Sequence, residues 1–417
     1  EFLAGCKNAL VIDVRSPAEY NHAHLPGAIN LPLFSDEERA VVGTKYKQVS
    51  RQAAIKIGLD YFGPRMRLMV EAVEKWIEQM NRRTGEQGIS NDEGKGHRTS
   101  NLEPQTSNTQ PQTPNAKLFL YCWRGGMRSG AVAWLLNLYG FDVTVLAGGY
   151  KAFRNWVLQT NAYPYRLKLV GGYTGSGKTA LLKTLAQKGE TIVDLEALAK
   201  HKGSAFGNIG MPPQPSQEMF ENKLALTMAS QHAKHKGSAF GNIGMPPQPS
   251  QEMFENKLAL TMASQHANAS TAWEENGALP KPIWIEDESQ RIGHVNIPQP
   301  FWQNMRRSPV YFLDIPFEER LQNIVADYGN LDRERMIAAI QRIGKRLGPL
   351  ETKNAIQFLQ EGSIEESFRI LLHYYDKQYR KGLHNRENLS SLLTNISCEK
   401  VCVGNAALLS QVQPLSK

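Results

Sequence analysis

A cysteine at the end of a predicted strand offers the most reactive side chain in this sequence. Cys122 follows the apolar run 118–121 and opens the segment Cys-Trp-Arg-Gly-Gly-Met-Arg-Ser. Backbone N–H groups of a glycine-containing turn can converge on a thiol, and arginines add positive charge, so both favour the reactive thiolate. We therefore predict Cys122 as a nucleophile that carries a chalcogen, with Arg124 and Arg128 binding an anionic substrate or pairing with acids. A buried structural cysteine is the alternative.

A second loop, about fifty residues later, has the spacing of a phosphate-binding loop. Residues 172–179 read Gly-Tyr-Thr-Gly-Ser-Gly-Lys-Thr and lie between a predicted strand and a helix predicted over 178–187. Such a loop binds phosphates through its backbone N–H groups, its lysine and its hydroxyl, which can also hold Mg²⁺. The motif indicates a bound diphosphate or polyphosphate and does not require ATP. The predicted phosphate-binding residues are Gly172, Gly175, Ser176, Gly177, Lys178 and Thr179.

Acidic residues that could complete the phosphate site follow two other predicted strands. Asp194 ends one of them, and Glu286, Asp287 and Glu288 follow the other. Either position could hold a metal through water or orient a reacting group, and a solvated run of charges is the alternative. We predict Asp194, Glu286 and Asp287 as candidate metal ligands or acid–base groups, with no metal assigned.

Length and composition restrict the class of protein. The chain has 417 residues, of which 41% are hydrophobic, and this predicts more than one domain. No apolar run approaches the ~18 residues needed to span a bilayer, so we expect no membrane partner. Four cysteines make no disulfide framework and favour a cytoplasmic protein. The formal charge of +8 favours a polyanionic partner such as tRNA, although an ordinary lysine excess would give the same value.

Strand and helix patterns alternate along the chain, which predicts an α/β fold with mainly parallel sheets. We expect one domain over residues 1–160 and a second over 161–417, whose helical C-terminal part covers about 317–383. Residues 82–116 are rich in Gly, Ser, Asn, Gln and Pro, so we predict a disordered insertion inside the first domain.

A perfect internal repeat lies in the second domain. Residues 200–233 recur without change as 234–267. Solenoid repeats of this length diverge in sequence and come in threes or more, so two identical copies indicate a recent tandem duplication or an error in the sequence. One copy is therefore expected to be surplus, and the sequence does not say which copy packs.

Several motifs in order resemble a known family. The segments 13–20 (Asp-Val-Arg-Ser-Pro-Ala-Glu-Tyr), 24–32, the Cys122 turn and 146–150 resemble a rhodanese domain. The phosphate loop is followed by 193–199, 203–207, 214–217 and 285–289 (Ile-Glu-Asp-Glu-Ser). Together they resemble tRNA 2-selenouridine synthases, which implies a rhodanese-like domain fused to a P-loop NTPase-like domain.

The resemblance also implies an activity. The expected enzyme is a transferase that replaces sulfur by selenium in wobble 2-thiouridine of tRNA. The sulfur is first geranylated with geranyl diphosphate, and selenium from selenophosphate then displaces the S-geranyl group. Geranyl diphosphate and selenophosphate are thus the expected co-substrates, and Mg²⁺ at the phosphate loop is a candidate cofactor. Two alternatives stay open: an ATP-dependent kinase or NTPase fused to a sulfurtransferase, and a non-catalytic tRNA-binding protein.

Overall fold

The computed structural model describes residues 2–6, 9–86, 116–235 and 281–411. They form two compact units, residues 1–155 and 156–417. The domain boundary predicted after residue 160 lies inside the helix Gly149–Ala162, as does the boundary between the two units. None of the helices in the described ranges is long and apolar enough to cross a membrane.

The first unit is built on a four-stranded parallel sheet in the order β2-β1-β3-β4. Apolar side chains on β1 and β3 are buried on the sheet and form the core with helices packed against it, as expected for a parallel sheet. The strands are β1 (Leu10–Asp13), β2 (Ile29–Asn30), β3 (Lys117–Tyr121) and β4 (Asp142–Val145); the helices are α1 (Phe2–Gly5), α2 (Pro17–His22), α3 (Asp36–Gln48), α4 (Arg51–Phe62), α5 (Met66–Glu86), α6 (Met127–Tyr139) and α7 (Gly149–Ala162).

The segment predicted as a disordered insertion starts with helix instead. Residues 82–86 form the last turn of α5, and residues 87–115 lie outside the described residues. Apolar side chains recur at helical spacing in α5, and Val73 and Ile77 are buried in the core. Because extending a formed helix costs far less than starting one, the polar residues that follow continue α5.

The second unit contains a five-stranded parallel sheet in the order β11-β10-β5-β7-β6. Leu169 and Ile285 contribute to one apolar cluster, whereas Val170 and Trp284, their neighbours along the strands, contribute to another, so both sheet faces are buried. The strands are β5 (Leu167–Gly172), β6 (Ile192–Val193), β7 (Ile283–Glu286), β10 (Val310–Asp314) and β11 (Leu393–Ser397); β8 (Arg291–Ile292) and β9 (Val295–Asn296) form a separate antiparallel pair.

Helices complete the second unit and confirm the predicted α/β class. A third apolar cluster joins the C-terminal helices to Phe206 and Ile209, which precede α10. The helices are α8 (Lys178–Gln187), α9 (Leu195–Ala199), α10 (Gln217–His235), α11 (Gln299–Arg306), α12 (Phe317–Tyr328), α13 (Arg333–Leu347), α14 (Pro349–Gln360), α15 (Ile364–His384), α16 (Leu389–Leu392) and α17 (Asn405–Gln411).

The first copy of the internal repeat is packed into the second unit. Phe220, Leu224 and Met228 on α10 are fully buried against the sheet. Of the second copy, residues 236–267 lie outside the described residues. The structure therefore assigns the core positions of this segment to the copy 200–233.

Deletion of residues 234–267 tests this assignment, because it joins residue 233 to 268 and keeps the first copy whole. We expect the free energy of unfolding to change by less than about 1 kcal/mol. The substitution Phe220→Ala should lower it by about 3–5 kcal/mol, because it empties a buried site. Urea denaturation followed by circular dichroism measures both, and a deletion as destabilising as Phe220→Ala would refute the assignment.

Candidate functional sites

The predicted nucleophile lies where the first unit's central strand β3 ends. Cys122 follows β3 directly and is only 3% exposed. Its Sγ lies 3.1 Å from the Oγ of Ser129 on α6, and that Oγ lies 3.1 Å from the Gly126 carbonyl oxygen. The thiol is therefore in contact with a polar group in the first turn of α6, and its surroundings are not purely apolar.

The turn around Cys122 favours the thiolate. Burial raises the pKa of the Cys122 thiol, but hydrogen bonds from the Ser129 side chain and from the N–H groups of Ser129, Arg124 and Gly126 outweigh it. The pKa of this thiol therefore lies below its usual value. A group of N–H donors around a sulfur atom also suits an anionic substrate. This geometry supports the predicted nucleophile.

Glycines let a neighbouring loop close on the turn. Gly149 has a φ of +60°, and a Cβ at this position would collide with the Cys122 carbonyl oxygen. The next residue, Tyr150, donates its N–H to that same oxygen at 2.8 Å. The start of α7 thus fixes the backbone of the cysteine and the position of its side chain.

The two arginines of the turn have different surroundings. Arg128 forms an ion pair with Glu19 on α2, with 2.6 Å between Nη1 and Oε2. Burial raises the pKa of the Glu19 carboxyl, but the ion pair with Arg128 and the hydrogen bond from the Ser16 N–H together lower it by more. The pKa of this carboxyl therefore lies below its usual value. Arg124 is exposed. The arginines were predicted either to bind an anionic substrate or to pair with acids. Arg128 pairs with an acid, whereas Arg124 is accessible to an anionic ligand.

Removal of the Ser129 hydroxyl should weaken the activation of Cys122. In Ser129→Ala we expect the pKa of the thiol to rise, because one of the hydrogen bonds that stabilise the thiolate is lost. Alkylation by iodoacetamide at neutral pH should then slow several-fold, and its pH profile should move to higher pH. Peptide mass spectrometry resolves each cysteine, and Cys398, whose pKa is raised by burial, is the internal control. An unchanged profile would rule out a role for this hydroxyl.

The phosphate loop connects β5 to α8, as predicted. Gly172 and Gly175 have φ values of +149° and +87°, and a Cβ on Gly175 would lie 2.7 Å from the Arg320 carbonyl oxygen. Only glycine fits such a position without strain. Lys178 Nζ donates to the Gly172 carbonyl oxygen at 3.1 Å and so is held across the loop. N–H groups at the start of α8 make this loop a binding site for an anion.

Three clustered carboxylates, one buried and two half-buried, lie beside the phosphate loop. Glu196 on α9, Glu286 at the end of β7 and Glu288 each place one oxygen atom within 4.8 Å of the others. Glu286 is fully buried, and neither of its carboxylate oxygens has a hydrogen-bond partner among the described residues. Thr179 of the phosphate loop donates to Glu196 Oε2 at 3.4 Å. The carboxylates and the loop therefore belong to one site.

The carboxylates hold protons more tightly than usual. Burial, with Glu286 and Glu288 adding repulsion, raises the pKa of Glu196 to about 9. Burial and Glu288 raise the pKa of Glu286 to about 8, and burial likewise raises that of Glu288. Lys178 acts in the opposite direction on all three. Clustered carboxylates of this kind are stabilised either by protons or by a bound cation.

The cluster fits the Mg²⁺ that a phosphate loop commonly uses. The donors are all oxygens, from three carboxylates and the Thr179 hydroxyl, which is the donor set that Mg²⁺ prefers. The unpartnered oxygens of Glu286 in particular would gain ligand bonds. Glu196, Glu286, Glu288 and Thr179 are therefore the residues that would hold this ion.

Of the three predicted acidic residues, the structure places one in the cluster. Glu286 belongs to it, whereas Asp194 caps α9 by accepting the Ala197 N–H at 2.8 Å. Asp287 is buried in an ion pair with Arg386 and accepts a hydrogen bond from Tyr379 at 2.7 Å. Successive side chains of an extended segment point to opposite sides, which separates Asp287 from its two neighbours.

Sequence reasoning missed Glu196 as a member of the site. It comes three positions after Val193, whose strand β6 pairs with β7 at Ile285. The signal was therefore present, because acids that follow neighbouring parallel strands meet at one edge of a sheet. Reading it requires the order of the strands, which the local sequence does not give.

Exchange of Glu286 for glutamine tests the cation site without assaying catalysis. We expect Glu286→Gln to weaken Mn²⁺ or Mg²⁺ binding, measured by calorimetry, by at least about tenfold, because one charged ligand is lost. In EDTA the same substitution should raise the melting temperature, because it relieves repulsion among the clustered carboxylates. Glu334→Gln, on the exposed first turn of α13, is the matched control. Equal cation affinity in both variants would disprove the site.

Similarity to known proteins identifies the family of this chain. A family model for the tRNA 2-selenouridine synthase AAA domain matches residues 165–234 and 229–332, and a rhodanese-like domain model matches 2–78 and 89–155. The tRNA 2-selenouridine synthase of Nitrosomonas europaea is 32% identical over 82% of this chain and 68% of that protein. This chain belongs to the tRNA 2-selenouridine synthase family. The resemblance and the two-part fold class expected from the sequence are thereby confirmed.

Other tRNA 2-selenouridine synthases give the same result. That of Serratia proteamaculans is 30% identical over 90% of this chain and 87% of its own length. That of Nitrosomonas eutropha is also 30% identical, over 76% of this chain and 62% of its own length. The matches to relatives thus cover different shares of their length, from under two thirds to most of it.

Proposed function

We propose that this protein is a tRNA 2-selenouridine synthase, a transferase that replaces sulfur by selenium in wobble 2-thiouridine of tRNA. The sulfur is first geranylated with geranyl diphosphate, and selenium from selenophosphate then displaces the S-geranyl group. One observation carries the proposal: a single chain of this family contains both an activated thiol in a rhodanese-like unit and a complete phosphate loop bordered by carboxylates.

The phosphate loop suits the first step. The 2-thiouridine sulfur attacks C1 of geranyl diphosphate, the C–O bond breaks, and diphosphate leaves with the bonding electrons. The base loses its N3 proton to solvent. The N–H groups at the start of α8 and the Lys178 ammonium group would stabilise the charge that develops on the leaving group. A divalent cation held by the carboxylate cluster would neutralise further diphosphate charge. This role needs diphosphate binding but no nucleotide.

The Cys122 turn suits the second step. Selenophosphate is a small anion, and the N–H groups of Arg124, Gly126 and Ser129 surround the thiol. Arg124 is exposed beside them and would add positive charge. In the second step the selenium of selenophosphate attacks C2 of the base and forms the C–Se bond, and the C–S bond breaks with geranylthiol as the leaving group. Water then cleaves the P–Se bond and releases phosphate. The proposed role of Cys122 is to handle selenium for this exchange.

The tRNA partner is supported by charge. The chain has a formal net charge of +8, and contacts between lysine or arginine and phosphates give affinity that falls with salt. Relatives of this chain carry tRNA in their names. A shared tRNA substrate would also explain why the two chemistries occur in one polypeptide.

Separate substitutions should separate the two reactions. We expect Lys178→Ala to slow geranylation about 100-fold or more, as loss of a charge-stabilising donor does, while pre-geranylated tRNA is still selenated. Cys122→Ala should keep geranylation and lose selenation. Nucleoside mass spectrometry of 2-thiouridine tRNA, with geranyl diphosphate alone and then with selenophosphate, measures both products. Lys188→Ala, at an exposed residue that directly follows α8, is the control. Normal selenation by Cys122→Ala would refute the role of this thiol.

Measurements of ATP hydrolysis and of tRNA binding, made beside the nucleoside assay, distinguish the alternatives. Rapid ATP hydrolysis that does not respond to tRNA, without either modified nucleoside, would indicate an NTPase or kinase fused to a sulfurtransferase. Binding of tRNA without any turnover would indicate a non-catalytic protein. If the chain without 234–267 were active while the full chain was not, the duplication would be the cause of inactivity.

A further inference from the structure

A groove beside the phosphate loop has no part in the two steps above. Its volume is about 810 Å³, and its walls come from the end of β10, the start of α12 and one side of α15. Tyr173, the second residue of the phosphate loop, lines it as well. A ligand in this groove would therefore lie next to the site where diphosphate is proposed to bind.

One wall of the groove is basic. His373, Lys377, Arg380, Lys381 and His384 all line it and are exposed. Spacings of three and four residues place these side chains on one face of α15. The helix thus presents a continuous row of nitrogen donors to the groove.

Acidic side chains do not cancel this charge. Asp376 is paired with Arg320 at 2.7 Å, so these two lining charges offset one another. Asp314, at the end of β10, is the other acid that lines the groove. Lys377, Arg380 and Lys381 therefore leave a net positive charge, and the groove is complementary to an anion with more than one charge.

Flat side chains lie among the cations. The rings of Phe317 and His373 are stacked with centroids 4.3 Å apart and planes inclined by 20°. The Arg320 and Arg380 guanidinium carbons lie 4.9 and 5.9 Å from the centre of the Tyr173 ring. Tyr173 and Phe317 are half-buried, and the His373 ring is exposed. Cations interleaved with accessible rings are the features that bind single-stranded nucleic acid, since phosphates contact the charges and bases stack on the rings.

We propose that this groove binds unpaired anticodon-loop nucleotides of the tRNA substrate. The proposal rests on the function proposed above and adds the residues that bind the RNA. Lys377, Arg380 and Lys381 bind loop phosphates, and an unstacked base lies on the His373 ring. Side chains cannot enter the deep groove of an RNA helix, so proteins read the splayed bases of loops instead. The groove then brings a loop nucleotide beside the phosphate loop at Tyr173.

Charge reversal at two positions that do not contact the phosphate loop tests the proposal. The double variant Lys377→Glu/Lys381→Glu is compared with Lys188→Glu/Lys353→Glu, which makes the same charge change at exposed sites outside α15. Binding of a labelled anticodon stem-loop to the full chain is measured by fluorescence anisotropy over a range of salt concentrations. A blunt RNA duplex with the stem sequence is the second probe, and circular dichroism verifies folding.

We expect the groove variant to bind the stem-loop at least about tenfold more weakly, with a salt slope smaller by ~1.4, or about 0.7 for each of two lost phosphate contacts. The control variant should bind within about twofold of the unaltered protein. In His373→Ala, a 2-aminopurine in the loop should lose its stacking-dependent quenching, and affinity should fall about fivefold or more.

Unchanged binding by the groove variant, or an equal loss with the control variant, would overturn the proposal. So would an equal loss for the blunt duplex, because that result indicates a general basic surface rather than a site for unpaired nucleotides. These measurements involve no turnover. If the stem-loop binds as expected while neither modified nucleoside forms, the groove assignment stands and the proposed reaction fails.

Discussion

The parallel register of β5 and β7 is the constraint on which the site of the second unit depends. Val170 pairs with Glu286, and Val193 on β6 pairs with Ile285, so the three strands end at one edge of the sheet. The phosphate loop leaves this edge from β5, and the carboxylates lie where β6 and β7 end. The apolar layers that hold the strands together also exclude water from Glu286, which is why its pKa is raised.

The first unit uses the same constraint for different chemistry. Asp13 at the end of β1 pairs with Tyr121, the residue before Cys122. Asp13 forms a buried ion pair with Arg15 at 2.6 Å, and the Arg15 guanidinium lies 3.9 Å from the Tyr150 ring centre. These side chains support the edge of the sheet, so the turn after Cys122 starts from a fixed backbone and its N–H groups converge on the thiol.

The features that could be predicted from the sequence are those that depend on residues close together in the chain. The Cys122 turn and the phosphate loop are local motifs, and the α/β class follows from alternating strand and helix patterns. The partners of charged side chains were not predictable in the same way. Arg128 meets Glu19 across 109 positions and Asp287 meets Arg386 across 99, so only the folded chain reveals these pairs. The choice between two identical copies of one segment likewise needed the packing of α10.

The phosphate-loop motif is completed by a residue far outside it. Tyr379 on α15 accepts the Gly172 N–H at 3.2 Å across 207 positions and donates to Asp287 at 2.7 Å. A fragment that ended after β10 would keep all eight residues of the motif yet lose this tyrosine. The Gly172 N–H and the Asp287 carboxylate would then each lose a hydrogen-bond partner, at a cost in stability of about 1–3 kcal/mol for each group. The loop is therefore not a transferable module: excised with its own strand and helix alone, it would not retain this geometry.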